Sequence, residues 1–168
     1  GRVRGLRFAV AVFTHLTQDH LDFHQDMESY GRAKSLLFGT EHLAGTAVLN
    51  AADPWTGRFA EVAIAAGHPV SRFARGRDSG ADFCTVEERV ELARSRLRVR
   101  GPDAEIEIEL PLPGDFQIDN ALAAIAASRA LGIDWDAIRR GLERWPAVPG
   151  RLERVGSGRP IVLVDYAH

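Results

Sequence analysis

Residues 6–14, Leu-Arg-Phe-Ala-Val-Ala-Val-Phe-Thr, are apolar at nearly every position over the length of one β-strand. A strand with one wet face alternates apolar and polar side chains, so this run calls for a strand covered on both faces, as in a parallel sheet. Parallel strands need crossovers, and the chain supplies them. Asp26 is placed to cap a helix running to about Phe38, and Thr46 to Asn50 forms a second short apolar strand. Ala51-Ala52-Asp53-Pro54 opens a second helix to about Ala66, and His68 to Phe73 reads as a third strand. This alternation predicts an α/β fold with an open, mostly parallel sheet flanked by helices.

The pattern then changes. From Ala81 to Pro113 apolar and polar residues alternate, which predicts an added antiparallel hairpin whose arms are Val90 to Ala93 and Ala104 to Leu110, with Gly101-Pro102-Asp103 between them. A helix from Ile118 to Leu131 stops at Gly132, and another runs from Trp135 to Leu142 behind the cap Asp134. Pro146 to Gly150 reads as a linker, and Pro160 to Val164 as a strand of a following domain. With 168 residues, 45% of them hydrophobic, the chain can bury one main core. It begins without Met and stops just after an apolar run, which reads as part of a longer protein.

Composition removes several functions. The formal net charge is -2 with Lys and Arg scattered, so neither nucleic acid nor an anionic membrane is an expected partner. Cys84 is the only cysteine, which excludes a disulfide framework and a thiolate zinc site and suits the cytoplasm. No apolar run approaches the roughly 18 residues that span a bilayer, so no membrane insertion is expected.

Two local features carry chemistry. On the helix from Asp26 to Phe38, Met27, Tyr30, Ala33, Leu37 and Phe38 form an apolar stripe, and Lys34 falls inside it while Glu28, Arg32 and Ser35 lie opposite. Burial there would favour the neutral, reactive amine. The alternative is a stem laid along the stripe with its ammonium in water. Just upstream, Asp19, His20, Asp22 and His24 follow the end of the first strand, where ligands of open α/β sheets bind. A zinc hydrolase built on these four stays open, although Leu21 stands where H-E-x-x-H requires glutamate.

The string from Phe13 to Lys34, with Asp19-His20-Leu21-Asp22-Phe23-His24 and Met27-Glu28-Ser29-Tyr30 inside it, resembles the Mur ligases. Among them the UDP-N-acetylmuramoyl-tripeptide synthetases show F-T-N-L-[ST]-x-D-H-L-D-[YF]-H-x-[DS]-M-x-x-Y-x-x-A-K. Gly114 to Ala124 is similar to their G-x-F-N-x-x-N-x-L-A-A, with Gln117 in place of the first asparagine. Pro149-Gly150-Arg151-Leu152-Glu153 and Asp165-Tyr166-Ala167-His168 are similar to their P-G-R-[ML]-E and D-Y-A-H elements.

The resemblance implies an ATP-dependent amide ligase that joins a diamino acid to UDP-MurNAc-L-Ala-D-Glu in peptidoglycan synthesis. It implies that Lys34 is carbamylated and binds magnesium with His20. Asn120 would contact the nucleotide base, Arg151 the phosphates and Asp165 the ribose, with His168 lining the same site. Arg2 would grip the UDP-muramoyl substrate. Residues 1–148 would be part of the central, ATP-binding domain, and 149–168 the linker and first strand of the C-terminal ligase domain. A monomer is expected. The 168 residues contain no G-x-x-x-x-G-K-[ST] loop, so the phosphate cradle is expected upstream of Gly1 and the isolated piece should be inactive. The alternatives are another ligase of the superfamily, of the folylpolyglutamate or cyanophycin synthetase type, or a non-catalytic α/β binding module.

Overall fold

The structure is a computed structural model, and it describes residues 5–17, 26–77, 79–91, 94–111, 114–145, 150, 153–156 and 162–166. The elements in chain order are β1 (Phe8–Phe13), α1 (Met27–Ser35), β2 (Leu43–Asn50), α2 (Thr56–Ala65), β3 (Val70–Ala74) and β4 (Phe83–Val90). There follow β5 (Ser95–Arg100), β6 (Glu105–Leu110), α3 (Phe116–Ala130), α4 (Trp135–Glu143), β7 (Glu153–Val155) and β8 (Val162–Val164). A single 3₁₀ turn, Leu36–Phe38, continues α1.

The first six strands form one sheet in sequence order. β1 to β4 are parallel neighbours, and β5 and β6 join antiparallel. This is the open, mostly parallel α/β sheet expected from the apolar runs, with an antiparallel extension. Side-chain alternation along β2 divides the core in two. Ala47 and Leu49 meet Phe59 and Ala63 of α2 and Phe38 of the 3₁₀ turn, while Val48 meets Ile118, Leu122 and Ile125 of α3. All of these are fully or almost fully buried, and each large side chain among them contributes about 1.5–3 kcal/mol relative to exposure.

The caps read from the sequence are present on two helices. Asp26 accepts the Ser29 amide at 2.6 Å in a capping box, and Asp134 accepts the Ala137 amide at 2.8 Å. Gly132, at φ +79°, ends α3 in the left-handed conformation that glycine adopts without a Cβ penalty.

The hairpin differs from its expectation. It is a three-stranded meander: β4 ends at Val90, and Glu91 N–H donates to the Arg94 carbonyl at 2.9 Å ahead of β5, while Leu92 and Ala93 of the expected first arm lie outside the described residues. The missed strand, β5, lies between the expected arms. Its outward arginines face glutamates in register, Arg96 opposite Glu109, Arg98 opposite Glu107 and Arg100 opposite Glu105, while Leu97 and Val99 point into the core. The turn at Gly101 to Asp103 is where the sequence placed it, with Gly101 N–H bonded to the Ala104 carbonyl at 2.8 Å. Near the end of the chain, β8 pairs antiparallel with β7, a strand the sequence reading did not contain, in a separate two-stranded sheet.

Gly45 marks the tightest point of the parallel ladder. The β1–β2 register shifts between Phe8 and Val10, and a Cβ on Gly45 would run into the Ala9 carbonyl. Gly45→Ala should therefore cost about 1–3 kcal/mol, because backbone must separate to admit the methyl group. Gly57→Ala, whose Cβ would meet nothing within 4 Å, should be neutral or stabilise by up to about 1 kcal/mol through helix propensity. Urea denaturation of both variants checks the contrast.

Candidate functional site at the carboxyl ends of the parallel strands

Three loops leave the carboxyl ends of β1, β2 and β3, and polar side chains lock the first two together. Asn50, the last residue of β2, donates its side-chain amide to the Thr14 carbonyl at 2.8 Å. Asp53 accepts the Leu16 amide at 3.0 Å through one carboxylate oxygen and the Trp55 amide at 2.8 Å through the other. The Thr56 hydroxyl donates to the Asn50 carbonyl. The chain leaving β1 toward residues 18–25 is thus pinned to the start of α2. Asp53 was read from sequence only as a helix opener; its bond to Leu16 spans a separation that no local pattern shows.

A charged cluster occupies the neighbouring position, between the end of β3 and the start of α3. Arg75 grips Glu88 of β4 with Nε at 3.1 Å from both carboxylate oxygens and with Nη2 on Oε2. Glu88 also accepts the Thr85 hydroxyl at 2.5 Å, and Thr85 in turn accepts the Gly76 amide at 2.8 Å. On its other side Arg75 lies 3.7 Å from Asp115, and it feels the charge of Asp119 as well. Burial raises the Asp119 carboxyl above its ordinary value; Arg75 and His15 oppose this, and Glu88 and Asp115 reinforce it. Burial also opposes ionisation of Glu88, but hydrogen bonds from Arg75 and Thr85 outweigh it and hold that carboxyl low. None of Arg75, Glu88 or Asp119 stood out in the sequence, since a charge only becomes unusual when its partners are assembled around it.

One turn into α3, Asn120 is exposed, and its side-chain amide donates to the Gln117 carboxamide at 3.4 Å. Two primary amides thus sit side by side at the helix start, a donor and acceptor set suited to the edge of a nucleobase.

Lys34 requires a correction, because it is exposed and not buried on an apolar stripe. The buried seam of α1 runs through Gly31, where the absent Cβ lets the Trp55 ring press against the helix; any side chain there would collide with it. Glu28, expected on the solvated side, instead faces α2 and bonds Arg58 at 2.6 Å. Ala33, expected inside, is exposed. The buried side is rotated from the apolar stripe because the residue with no side chain, Gly31, is the one that admits the Trp55 ring. The Lys34 ammonium stands 5.2 Å from the Tyr30 ring centroid, in the last turn of α1 where a cation suits the helix dipole. Lys34 on α1 and Asn120 on α3 lie on opposite faces of the sheet.

The family model for the Mur ligase middle domain matches residues 1–128. The chain belongs to the Mur ligase family. The UDP-N-acetylmuramoyl-L-alanyl-D-glutamate--2,6-diaminopimelate ligase of Gloeobacter violaceus is 47% identical over 169 residues, covering 99% of this chain and 33% of that protein. The enzyme of the same name from Streptomyces avermitilis is 42% identical over 170 residues, covering 100% of this chain and 33% of that protein. A solved structure of a ligase of that name matches with a TM-score of 0.84 at 27% identity, over 95% of this chain and 32% of the other. MurF from Acinetobacter baumannii matches with a TM-score of 0.82 at 25% identity, over 94% of this chain and 33% of the other. The chain thus spans about a third of the length of the curated relatives it matches.

Of the residues that the Mur ligase motifs single out, Lys34, Asn120 and Asp165 are described. Asp165 is exposed after β8, beside Tyr166, whose amide donates to the Gly150 carbonyl at 2.8 Å. Arg2, His20, Arg151 and His168 lie outside the described residues, as do Asp19, Asp22 and His24 of the hydrolase alternative. Among the described residues no group of three or more His, Cys, Asp or Glu side chains is placed to hold a metal ion. Lys34 is accessible to carbon dioxide, and a carbamate formed on its neutral amine would present the hard oxygen that magnesium takes. A cavity of about 430 Å³ lies elsewhere, on the outer face of β4 to β6, among paired arginines and glutamates.

The two perturbed carboxylates predict opposite pH effects. The depressed value of Glu88 stabilises the fold above its ordinary 4.5, and that contribution is lost as pH falls through the folded value. Glu88→Gln should thus lower stability at pH 7 by about 1–2 kcal/mol, as expected for a lost charge-assisted hydrogen bond, with the deficit closing below pH 4.5. Asp119 is raised above 3.8, so its ionisation works against folding at neutral pH. Asp119→Asn should stabilise at pH 7, and the gain should vanish as pH falls below 3.8. Thermal melts across pH 3–8, a range of about 5 units bracketing both groups, read both signs.

Proposed function

We propose that this chain is the central part of an ATP-dependent UDP-N-acetylmuramoyl-tripeptide synthetase that joins 2,6-diaminopimelate to the D-glutamyl carboxylate of UDP-MurNAc-L-Ala-D-Glu. The observation that carries the reading is identity of 39–47% to ligases of that name along essentially the whole chain. It is supported by the motif residues Lys34, Asn120 and Asp165, all exposed on this fold. The reaction transfers the terminal phosphoryl group of ATP to the carboxylate. The amine of the diamino acid then attacks the acyl carbon, a C–N bond forms, and the C–O bond to phosphate breaks as the amine loses a proton.

In this reading Asn120, beside Gln117, holds the edge of the adenine, Asp165 the ribose and Arg151 the phosphates, with His168 along the same site. Arg2 holds the UDP-muramoyl substrate. The Lys34 ammonium would give up one proton to become the nucleophile and a second as it adds to carbon dioxide, and the carbamate, with His20, would hold magnesium. A metal held there would supply charge neutralisation for the phosphoryl oxygens and the tetrahedral centre. The phosphate cradle comes from polypeptide outside these 168 residues. In this reading the protein works in the cytoplasm as a monomer on nucleotide-linked precursors.

The test uses the whole protein. Phosphate release should require ATP, UDP-MurNAc-L-Ala-D-Glu and diaminopimelate together; release with a folate and glutamate instead would replace this reading by a folylpolyglutamate synthetase. Lys34→Ala should lower kcat by about 10²–10³, the scale for losing one charge-stabilising group, with partial rescue by formate or another short carboxylate. Unchanged turnover in that variant would refute the carbamate.

A further inference from the structure

The start of α3 lacks the device that fixes the starts of α1 and α4. Asp26 and Asp134 cap those two helices with their own carboxylates, whereas Asp115, at the same position of α3, makes no side-chain bond to its helix. Its carboxylate turns instead toward Arg75 at 3.7 Å. Asp119, one turn further on, interacts with the same guanidinium. Arg75 itself is immobilised from behind by the two-pronged grip on Glu88 in β4, and Glu88 by the relay through Thr85 to the Gly76 amide.

Burial of Ile118, Leu122 and Ile125 holds α3 on the sheet, but apolar burial is non-directional and resists sliding along the helix axis only weakly. The two-pronged bond to Glu88 is directional and fixes the plane of the Arg75 guanidinium, whose other side meets the start of α3 as an ion pair with Asp115. The same end of the helix carries Gln117 and Asn120.

We propose that Arg75, held by Glu88, is a positioning residue for the nucleotide: it anchors the first turn of α3 so that the Asn120 amide stands where the base binds. The proposal rests on the nucleotide reading of Asn120 given above, and Arg75 touches neither substrate nor reacting atoms in it. Its effect therefore passes entirely through the Asn120 turn.

The experiment is a double-mutant cycle in the whole ligase. Asn120→Ala should raise the KM for ATP; if it does not, the nucleotide reading fails, and the positioning proposal with it. Arg75→Gln should raise the KM for ATP about tenfold, with kcat and the KM values of the other two substrates changed by no more than about twofold, the signature of lost binding without lost chemistry. Adding Arg75→Gln to Asn120→Ala should give no further increase, because neighbours acting through one contact are not additive. Arg75→Lys, which keeps the charge and loses the fork, should fall between wild type and Arg75→Gln. Asp115→Asn, on an exposed side chain that leaves the core untouched, should raise the same KM by a smaller factor and covers the case in which Arg75→Gln does not fold. If Asn120→Ala raises the KM for ATP while Asp115→Asn and the soluble Arg75 variants leave it unchanged, or if the effects of Arg75→Gln and Asn120→Ala multiply, the positioning role is refuted and Arg75 is structural only.

Discussion

The second half of strand β2 is closed off from water on both faces, and the rest of the architecture answers that constraint. Leu43, Ala47, Val48 and Leu49 are all at 0% exposure, so helices must cover both faces of the sheet and neighbouring strands must satisfy the backbone on both sides. β1 and β3 supply the backbone partners in parallel register. The crossovers that parallel pairing demands supply α1 and α2 on one face, and α3 returns over the other. The loops gather at the carboxyl ends because every parallel strand ends at the same side, and the functional candidates that are described after β1, after β3 and at the start of α3 lie there for that reason.

Charge is used in two physically different ways around this core. On the outer face of the meander, arginines and glutamates face one another at 2.9–3.5 Å, as in Arg96 to Glu109 and Arg98 to Glu105. These pairs are substantially exposed, so each contributes little to stability and chiefly keeps a sheet face soluble and in register. Arg75 and Glu88 are more enclosed, and their hydrogen bonds decide which form of the carboxyl prevails. A further charged contact lies at the opposite end of α3. Arg129 bonds Asp103 at 2.5 Å and stacks 5.1 Å from the Trp135 ring, whose Nε1 also donates to Asp103 at 3.1 Å. This ties the β5–β6 turn to the corner between α3 and α4. It also explains Gly101, since a side chain there would collide with Trp135.

The sequence alone determined the α/β alternation, the caps at Asp26 and Asp134, the stop at Gly132 and the family motifs, because each depends on residues close together in the chain. Periodicity located the antiparallel region but passed over β5, since only the pairing of Ser95 to Arg100 with β4 and β6 shows that segment as a strand. It also rotated α1. The helix period is regular, but which side is buried was decided by Trp55 closing on Gly31, a contact across 24 residues of chain that left Lys34 in solvent. The chemistry at Lys34 was legible only as a resemblance. The grip of Arg75 on Glu88 and its reach to Asp115 and Asp119 were not legible at all, because they join the end of one strand, the middle of another and the start of a helix. Local pattern records what neighbours along the chain do; the approach of Arg75 to Asp115 at the start of α3, the helix that carries Asn120, exists only once the chain has folded.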